Sequence, residues 1–137
     1  MFISKFSSED WQNNQNTEVI HPAKNWQEIE KVIKELDGKH RTLVTLETDG
    51  EAHLAIGGGP DKFIVYLTFD NEVFYYLCGF AKSNLEESLV VGGQEGLYPA
   101  KFCVEIDLIL QVAKTFAEFG TMDQTVVWEK EGVLELV

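Results

Sequence analysis

The chain has 137 residues, 45% of them hydrophobic, with 23 acidic side chains against 11 basic ones and a formal net charge of −12. That length fits one domain with its own core, since a chain of roughly 150 residues buries about 70% of the surface it exposes when unfolded. Arg41 is the only arginine and the lysines are scattered singly, so no basic cluster exists to hold phosphate; nucleic acid and anionic membrane surfaces are disfavoured as partners, and basic partners are favoured.

No run of 18 or more apolar residues occurs, so no transmembrane helix is predicted. The start, Met1-Phe-Ile-Ser-Lys-Phe-Ser-Ser-Glu-Asp, lacks the basic then apolar pattern of a secretory signal, and a cytoplasmic location is expected. Residues 1–21 carry little periodic pattern. Asn13-Asn-Gln-Asn-Thr17 reads as a loop or mobile arm closed by Pro22. Phe2, Phe6 and Trp11 argue that part of this arm packs back onto the single domain expected over 22–137.

Asn25, with Glu28 three residues on, reads as the start of a helix by the logic of a capping box. Trp26, Ile29, Val32, Ile33 and Leu36 follow helical spacing, and Gly38 stops it. Strands are predicted over Thr42–Thr48 and Ala52–Ile56, joined by the Asp49-Gly50 turn, then Lys62–Phe69 and Glu72–Cys78, joined at Asp70-Asn71. Glu86–Val91 is a shorter strand ending at Gly92-Gly93. Leu97–Cys103 is a sixth strand or an extended lead-in, because Pro99 keeps Tyr98 out of helical geometry. The spacing predicts a second helix from Val104 to Phe119, closed by Gly120. Thr125–Trp128 and Val133–Val137 finish the chain as strands around the turn Glu129–Gly132.

In the two middle strands both alternating sets are apolar. Phe63, Val65, Leu67 and Phe69 face one way; Ile64 and Tyr66 face the other. Val73, Tyr75 and Leu77 likewise oppose Phe74 and Tyr76. One set must pack on helices, while the other needs a second cover or serves as a binding face. The expected fold is α+β: a mainly antiparallel, twisted sheet of five to seven strands with two principal helices.

The chemistry of catalysis is thin. Gly57-Gly58-Gly59 precedes Pro60 and a strand rather than a helix, so a phosphate loop does not fit. Gly92-Gly93-Gln94-Glu95-Gly96 marks a bulge or sharp strand exit, or a contact loop. His21, His40 and His53 show no metal-ligand spacing. Cys78 and Cys103 each sit in an apolar run and read as reduced, buried thiols. A Cys103–His53 nucleophilic pair has no support in the spacing. Glu105 and Asp107 suit the helix dipole better than acid–base work, because side chains at i and i+2 diverge. Trp26 and Trp128 read as core anchors; Trp11 reads as the exposed or partner-contacting indole.

The acidic turns form the most useful constellation. In an up-and-down meander alternate turns share one end of the sheet. That brings Asp49, Glu51, Asp70 and Glu72 together, with the exit through Gly92–Glu95 near them, and gathers Asp61, Glu86 and Glu87 at the other end. Such clusters steer a basic partner. Asp49, Glu51, Asp70, Glu72 and Glu95 are therefore candidate steering residues, with Tyr66 and Tyr76 as candidate anchors.

The order of these pieces resembles the Imm-one (Imm1) family of immunity proteins from bacterial polymorphic toxin systems. The Trp26-led helix, Ile56-Gly57-Gly58-Gly59, the aromatic meander, Val90-Val91-Gly92-Gly93-Gln94, Tyr98-Pro99, Phe116 with Gly120, and Val126-Val127-Trp128 carry the resemblance over about residues 24–130. It implies an α+β protein made beside a secreted toxin and neutralising it by binding, with nucleic-acid deaminases among the toxins so paired. It also implies that Gly58, Gly92, Gly93 and Trp128 fix the fold rather than touch the toxin. The expected function is occlusion of a basic toxin's active site, with no cofactor, no metal and no reaction of its own. The alternatives are an acidic adaptor or regulatory domain, and a small enzyme using a Cys-His or carboxylate pair. Oligomeric state stays open.

Overall fold

The computed structural model describes residues 1–79 and 85–131, the side chain of Glu131 apart. The side-chain oxygen of Asn25 accepts a hydrogen bond from the Glu28 N–H at 3.0 Å and opens helix α1, Trp26–Lys34. This is the capping expected of an asparagine ahead of an apolar periodic run. Trp26, Ile29, Ile33 and the following Leu36 are buried, while Lys31 and Lys34 stay wet. The second helix, α2, runs from Ile106 to Phe119 and ends at Gly120, whose φ of 71° places it in the left-handed region a helix C-terminus favours. It begins two residues later than the periodicity suggests, because Val104 instead bridges to Phe63 at the end of a strand.

The strands of the described residues are β1 (Lys5–Gln12), β2 (Gln15–Pro22), β3 (Leu43–Glu47), β4 (His53–Gly58), β5 (Phe63–Thr68), β6 (Phe74–Cys78), β7 (Glu86–Val91), β8 (Gln94–Pro99) and β9 (Val127–Glu131). Seven of them form one antiparallel sheet in the order β2-β1-β3-β4-β5-β6-β9, and β7 with β8 forms a separate two-stranded ribbon. The expected α+β class and antiparallel sheet are both found.

Both helices pack on one face of the sheet. Phe6, Val44, Leu46, Leu54, Ile56, Phe63, Val65, Leu67 and Leu77 meet Ile29, Ile33, Ile109, Val112 and Phe116 in a single core. Burying one such side chain contributes about 1.5–3 kcal/mol. The opposite face carries the second apolar set, and the ribbon covers one end of it: Ile64, Leu89 and Cys103 are buried together, with Val91, Tyr98 and Phe102 packed around them. Gly57 makes this close approach feasible, and Gly58 lies in ordinary contact with the ribbon. A Cβ on Gly57 would lie 2.5 Å from Val91 Cγ1, and one on Gly58 would lie 3.6 Å from Leu89 Cδ1.

Four expectations need correction. The segment read as a loop or arm is the β1–β2 hairpin, which turns at Asn13 and Asn14 with φ of 51° and 67°; Phe6 within it does pack back onto the domain as expected and is buried in the core. The Gly92-Gly93 bulge is the two-residue turn of the ribbon, both glycines having positive φ. The strand expected from Leu97 begins at Gln94, pairing with β7, and gives way to a 3-10 turn at Ala100–Phe102. Glu129–Glu131, read as part of a turn, continues strand β9 beside β6. The strand expected over Val133–Val137 lies outside the described residues.

Candidate functional site

Strand alternation places His53 and Ala55 on β4, Tyr66 on β5, and Phe74 and Tyr76 on β6 on the face away from the helices. Tyr66 lies opposite Tyr76 in register, with ring centroids 6.2 Å apart. Phe74 meets the Tyr66 ring edge-on at 5.5 Å and His53 meets it at 5.7 Å. Phe102 stacks on Tyr76 at 5.1 Å. The two candidate anchors are therefore neighbours in a continuous, half-buried aromatic floor. Such rings offer large contact area with a polar tip, which suits a protein interface.

The floor is held by local hydrogen bonds. His53 Nδ1 lies 2.9 Å from the Glu51 carbonyl, so that nitrogen donates. Nε2 lies 3.4 Å from the Tyr66 hydroxyl. Partial burial raises the Tyr66 pKa above its ordinary value, so the phenol stays protonated and can donate.

The short turns of the meander put Asp49 and Glu51, between β3 and β4, at the same end as Asp70 and Glu72, between β5 and β6. Two strand spacings separate these turns, about 10 Å. All four carboxylates are exposed. The turns share one construction. Thr48 Oγ1 donates to the Ala52 carbonyl at 2.8 Å and accepts from Gly50 N–H; Thr68 Oγ1 donates to the Val73 carbonyl at 2.8 Å and accepts from Asn71 N–H. Each threonine clamps its turn, which fixes the rim of charge before any partner arrives. Glu47, opposite His53 in register, extends the acidic rim along the same face.

Glu95 does not join them. It pairs with Val90 beside the ribbon turn, and the ribbon lies over Gly57, at the far end of β4 from His53. A run of about five strand residues, roughly 15 Å, separates it from the acidic turns. Expecting Glu95 near Asp49 failed because the ribbon folds back across the sheet instead of extending the meander. Trp11 was also misplaced. Its half-buried indole packs against Gly93, where an added Cβ would lie 2.3 Å from Cζ2, so it props the ribbon turn. Beside it the buried Glu9 accepts hydrogen bonds from the N–H and hydroxyl of Thr42, and Thr42 Oγ1 accepts one from Gly93 N–H. His53, Phe74, Glu47 and Phe102 are the members of this face that sequence reasoning did not name as partner-binding residues. The period-2 alternation of their strands was the available signal for the first three.

The candidate Cys103–His53 pair does not meet. Cys103 sits beside Val104, which bridges Phe63, whereas His53 pairs with Thr68 at the other end of β5, about 16 Å away along the strand. Burial pushes the Cys103 thiol up to about 11, with the Glu87 carboxylate adding to the effect, so little thiolate exists near neutrality. A groove of about 380 Å³ beside it is lined by Lys62, Cys103, Glu105, Asp107 and Gln111, and Lys62 is 3.6 Å from Glu105. Among the described residues no group of three or more His, Cys, Asp or Glu side chains could hold a metal ion, and no helix is long and apolar enough to cross a membrane.

Three aspartates link this architecture to acid stability. Burial opposes ionisation of Asp37, but the N–H groups of Arg41, Lys39 and His40 outweigh it and hold its pKa below the ordinary value. The N–H groups of Val73 and Glu72 lower Asp70, and Thr125 lowers Asp123. A carboxyl with a depressed folded pKa stabilises the protein above its unfolded value, about 3.9, and that contribution disappears as pH falls through the folded value. Chemical denaturation should therefore show stability declining below about pH 4, and Asp37→Asn should flatten that decline relative to the parent chain.

A family model described as Immunity protein Imm1 matches residues 18–130. No curated protein and no solved structure matches the chain.

Proposed function

The chain belongs to the Imm1 family of immunity proteins, and on that premise we propose that it neutralises a cognate toxin by seating the open sheet face over that toxin's active site. The observation that carries the reading is the juxtaposition of an aromatic floor with a fixed acidic rim. His53, Tyr66, Phe74 and Tyr76 supply contact area; Asp49, Glu51, Asp70 and Glu72 supply one sign of charge at its edge. A chain of formal net charge −12 attracts a basic toxin from a distance and repels acidic competitors. A nucleic-acid deaminase fits as the toxin, because an enzyme that grips phosphate presents cations around its active site. The inhibitor performs no reaction and needs no cofactor; it works by occupying the site, in the cytoplasm of the cell that makes both proteins.

Co-purification with the product of the adjacent gene tests the class: a tight one-to-one complex that loses toxin activity is expected, and a neighbouring product that neither binds nor is inhibited would reject it. The face is tested by charge. Glu51→Lys with Glu72→Lys should slow association about tenfold or more at low salt and weaken its salt dependence. Asp70 is treated separately, since its carboxylate also accepts the Glu72 and Val73 N–H groups of its own turn; Asp70→Asn removes charge while keeping an acceptor. Unchanged association rate and salt dependence in the double variant would place the contact elsewhere.

A further inference from the structure

Among the described residues the sheet has two edge strands, and they differ. Edge strand β9 carries Glu129, Lys130 and Glu131, charges of the kind that discourage strand pairing. Edge strand β2, Gln15-Asn-Thr-Glu-Val-Ile-His-Pro22, carries one charged residue, Glu18, and no lysine. Its side chains are almost all exposed, including Val19 at 39% and Ile20 at 57%. An eight-residue strand that is open and nearly uncharged is the type of edge that accepts another strand.

The hairpin turn fixes which backbone groups face outward. With Asn13 and Asn14 both at positive φ, Gln12 and Gln15 close a two-residue turn as a hydrogen-bonded pair. Alternation then directs the N–H and C=O groups of Thr17, Val19 and His21 toward β1, and those of Asn16, Glu18 and Ile20 away from the sheet. The Trp11 N–H agrees with this phase: it turns from β2 and donates to the His40 carbonyl at 2.8 Å.

We propose that β2 pairs antiparallel with β2 of a second copy of this chain, about a two-fold axis at Val19, joining two sheets into one. The strand is self-complementary in that register. Val19 meets the partner's Val19 as a non-hydrogen-bonded pair. Glu18 lies opposite the partner's Ile20, and the two exchange backbone hydrogen bonds on both sides of the axis. Asn16 lies opposite the partner's Pro22, so the residue without an N–H falls at the end of the ladder. Centring the axis on Glu18 instead would oppose two carboxylates, which is unfavourable. Val19 lines a groove of about 410 Å³ between the hairpin and α1, with Phe6, His21, Lys31 and Val32, and the added strand closes its mouth. The sheet face with Tyr66 and Tyr76 lies four and five strands away and stays uncovered by this pairing. Each copy carries a net charge of −12, so self-association should strengthen with salt, opposite to the expectation for a basic toxin.

Sedimentation of the full chain across a concentration series, at low and high salt, tests this. Apparent mass should rise toward twice the chain mass, at lower concentration when salt is high. Glu18→Pro removes an outward N–H on each copy without touching a hydrogen bond to β1, and should weaken association about tenfold or more. Val19→Cys should form a disulfide-linked dimer under mild oxidation, because a non-hydrogen-bonded pair holds its Cα atoms about 4.5 Å apart, within disulfide reach. The parent chain, with Cys78 and Cys103, and Ile20→Cys should not. This readout holds even if the proline variant misfolds. A monomer at every concentration and salt, or Val19→Cys cross-linking no faster than Ile20→Cys, would overturn the proposal, including the outcome in which β2 captures only a toxin strand.

Discussion

Tyr66→Ala should weaken the complex with the cognate toxin by about 2 kcal/mol or more, roughly 30-fold in Kd, with the loss appearing mainly as faster dissociation. The tyrosine sits at the centre of the aromatic floor, touching Phe74, Tyr76 and His53. Truncation removes its contact area and leaves the His53 ring and two aromatic edges without their central neighbour. Tyr66→Phe separates packing from hydrogen bonding: it keeps the ring and loses only the 3.4 Å contact to His53 Nε2, so a loss under tenfold is expected. Kinetic binding measurements on both variants, with circular dichroism to verify the fold, make the comparison. Equal and small effects from the two would remove Tyr66 from the interface.

Gly57→Val should cost about 1–3 kcal/mol of stability through overpacking, and its structural consequence should be local. Gly57 is buried where the ribbon crosses β4, and a Cβ there would stand 2.5 Å from Val91 Cγ1 and 2.8 Å from Cγ2. The sheet is shared with the helical core and is anchored by Leu54 and Ile56 on its other face. The ribbon rests on far less: Ile64, Leu89, Cys103 and their partly buried neighbours. Lifting the ribbon is the easier relaxation. Cys103 reports it directly, since it is 4% exposed in the parent chain and burial holds its thiol near 11. Alkylation of Cys103 should accelerate in Gly57→Val under conditions where the far-ultraviolet spectrum is native. A destabilised variant with unchanged Cys103 reactivity would show that the whole sheet, rather than the ribbon, absorbs the clash.

The parts of the molecule legible in sequence are those with a local physical signal. Helix α1 has a capping asparagine and an apolar stripe, and both are realised. The turns at Asp49-Gly50 and Asp70-Asn71 are short, so their strands had to run antiparallel and their carboxylates had to share an end. The two-sided apolar pattern of β5 and β6 announced that the sheet has cover on one face and a second cover or a docking surface on the other. Among the described residues it has a partial second cover and an open remainder.

The hairpin β1–β2 lacked such a signal for a physical reason. Strand β2 is an edge with both faces exposed, so burial imposes no alternation on Gln15–Pro22. Only Asn13-Asn14, residues that tolerate the left-handed region, marked it, and a polar run of five residues obscured that mark.

The amino-acid sequence alone settled the α+β class, the course of the meander, and the shared end of Asp49, Glu51, Asp70 and Glu72, because each follows from periods and turns spanning a few residues. The register that sets Tyr66 opposite Tyr76 came from the structure, since a two-residue turn at Asp70-Asn71 would have set Tyr66 opposite Tyr75. Tertiary structure decided where the ribbon lies. No local period encodes the landing place of a hairpin; here it is chosen by small gaps at Gly57 and Gly93 that admit Val91 and the Trp11 indole. That choice carried Glu95 away from the acidic rim, turned Trp11 from a surface indole into a prop, and left the aromatic floor open where a partner can reach it.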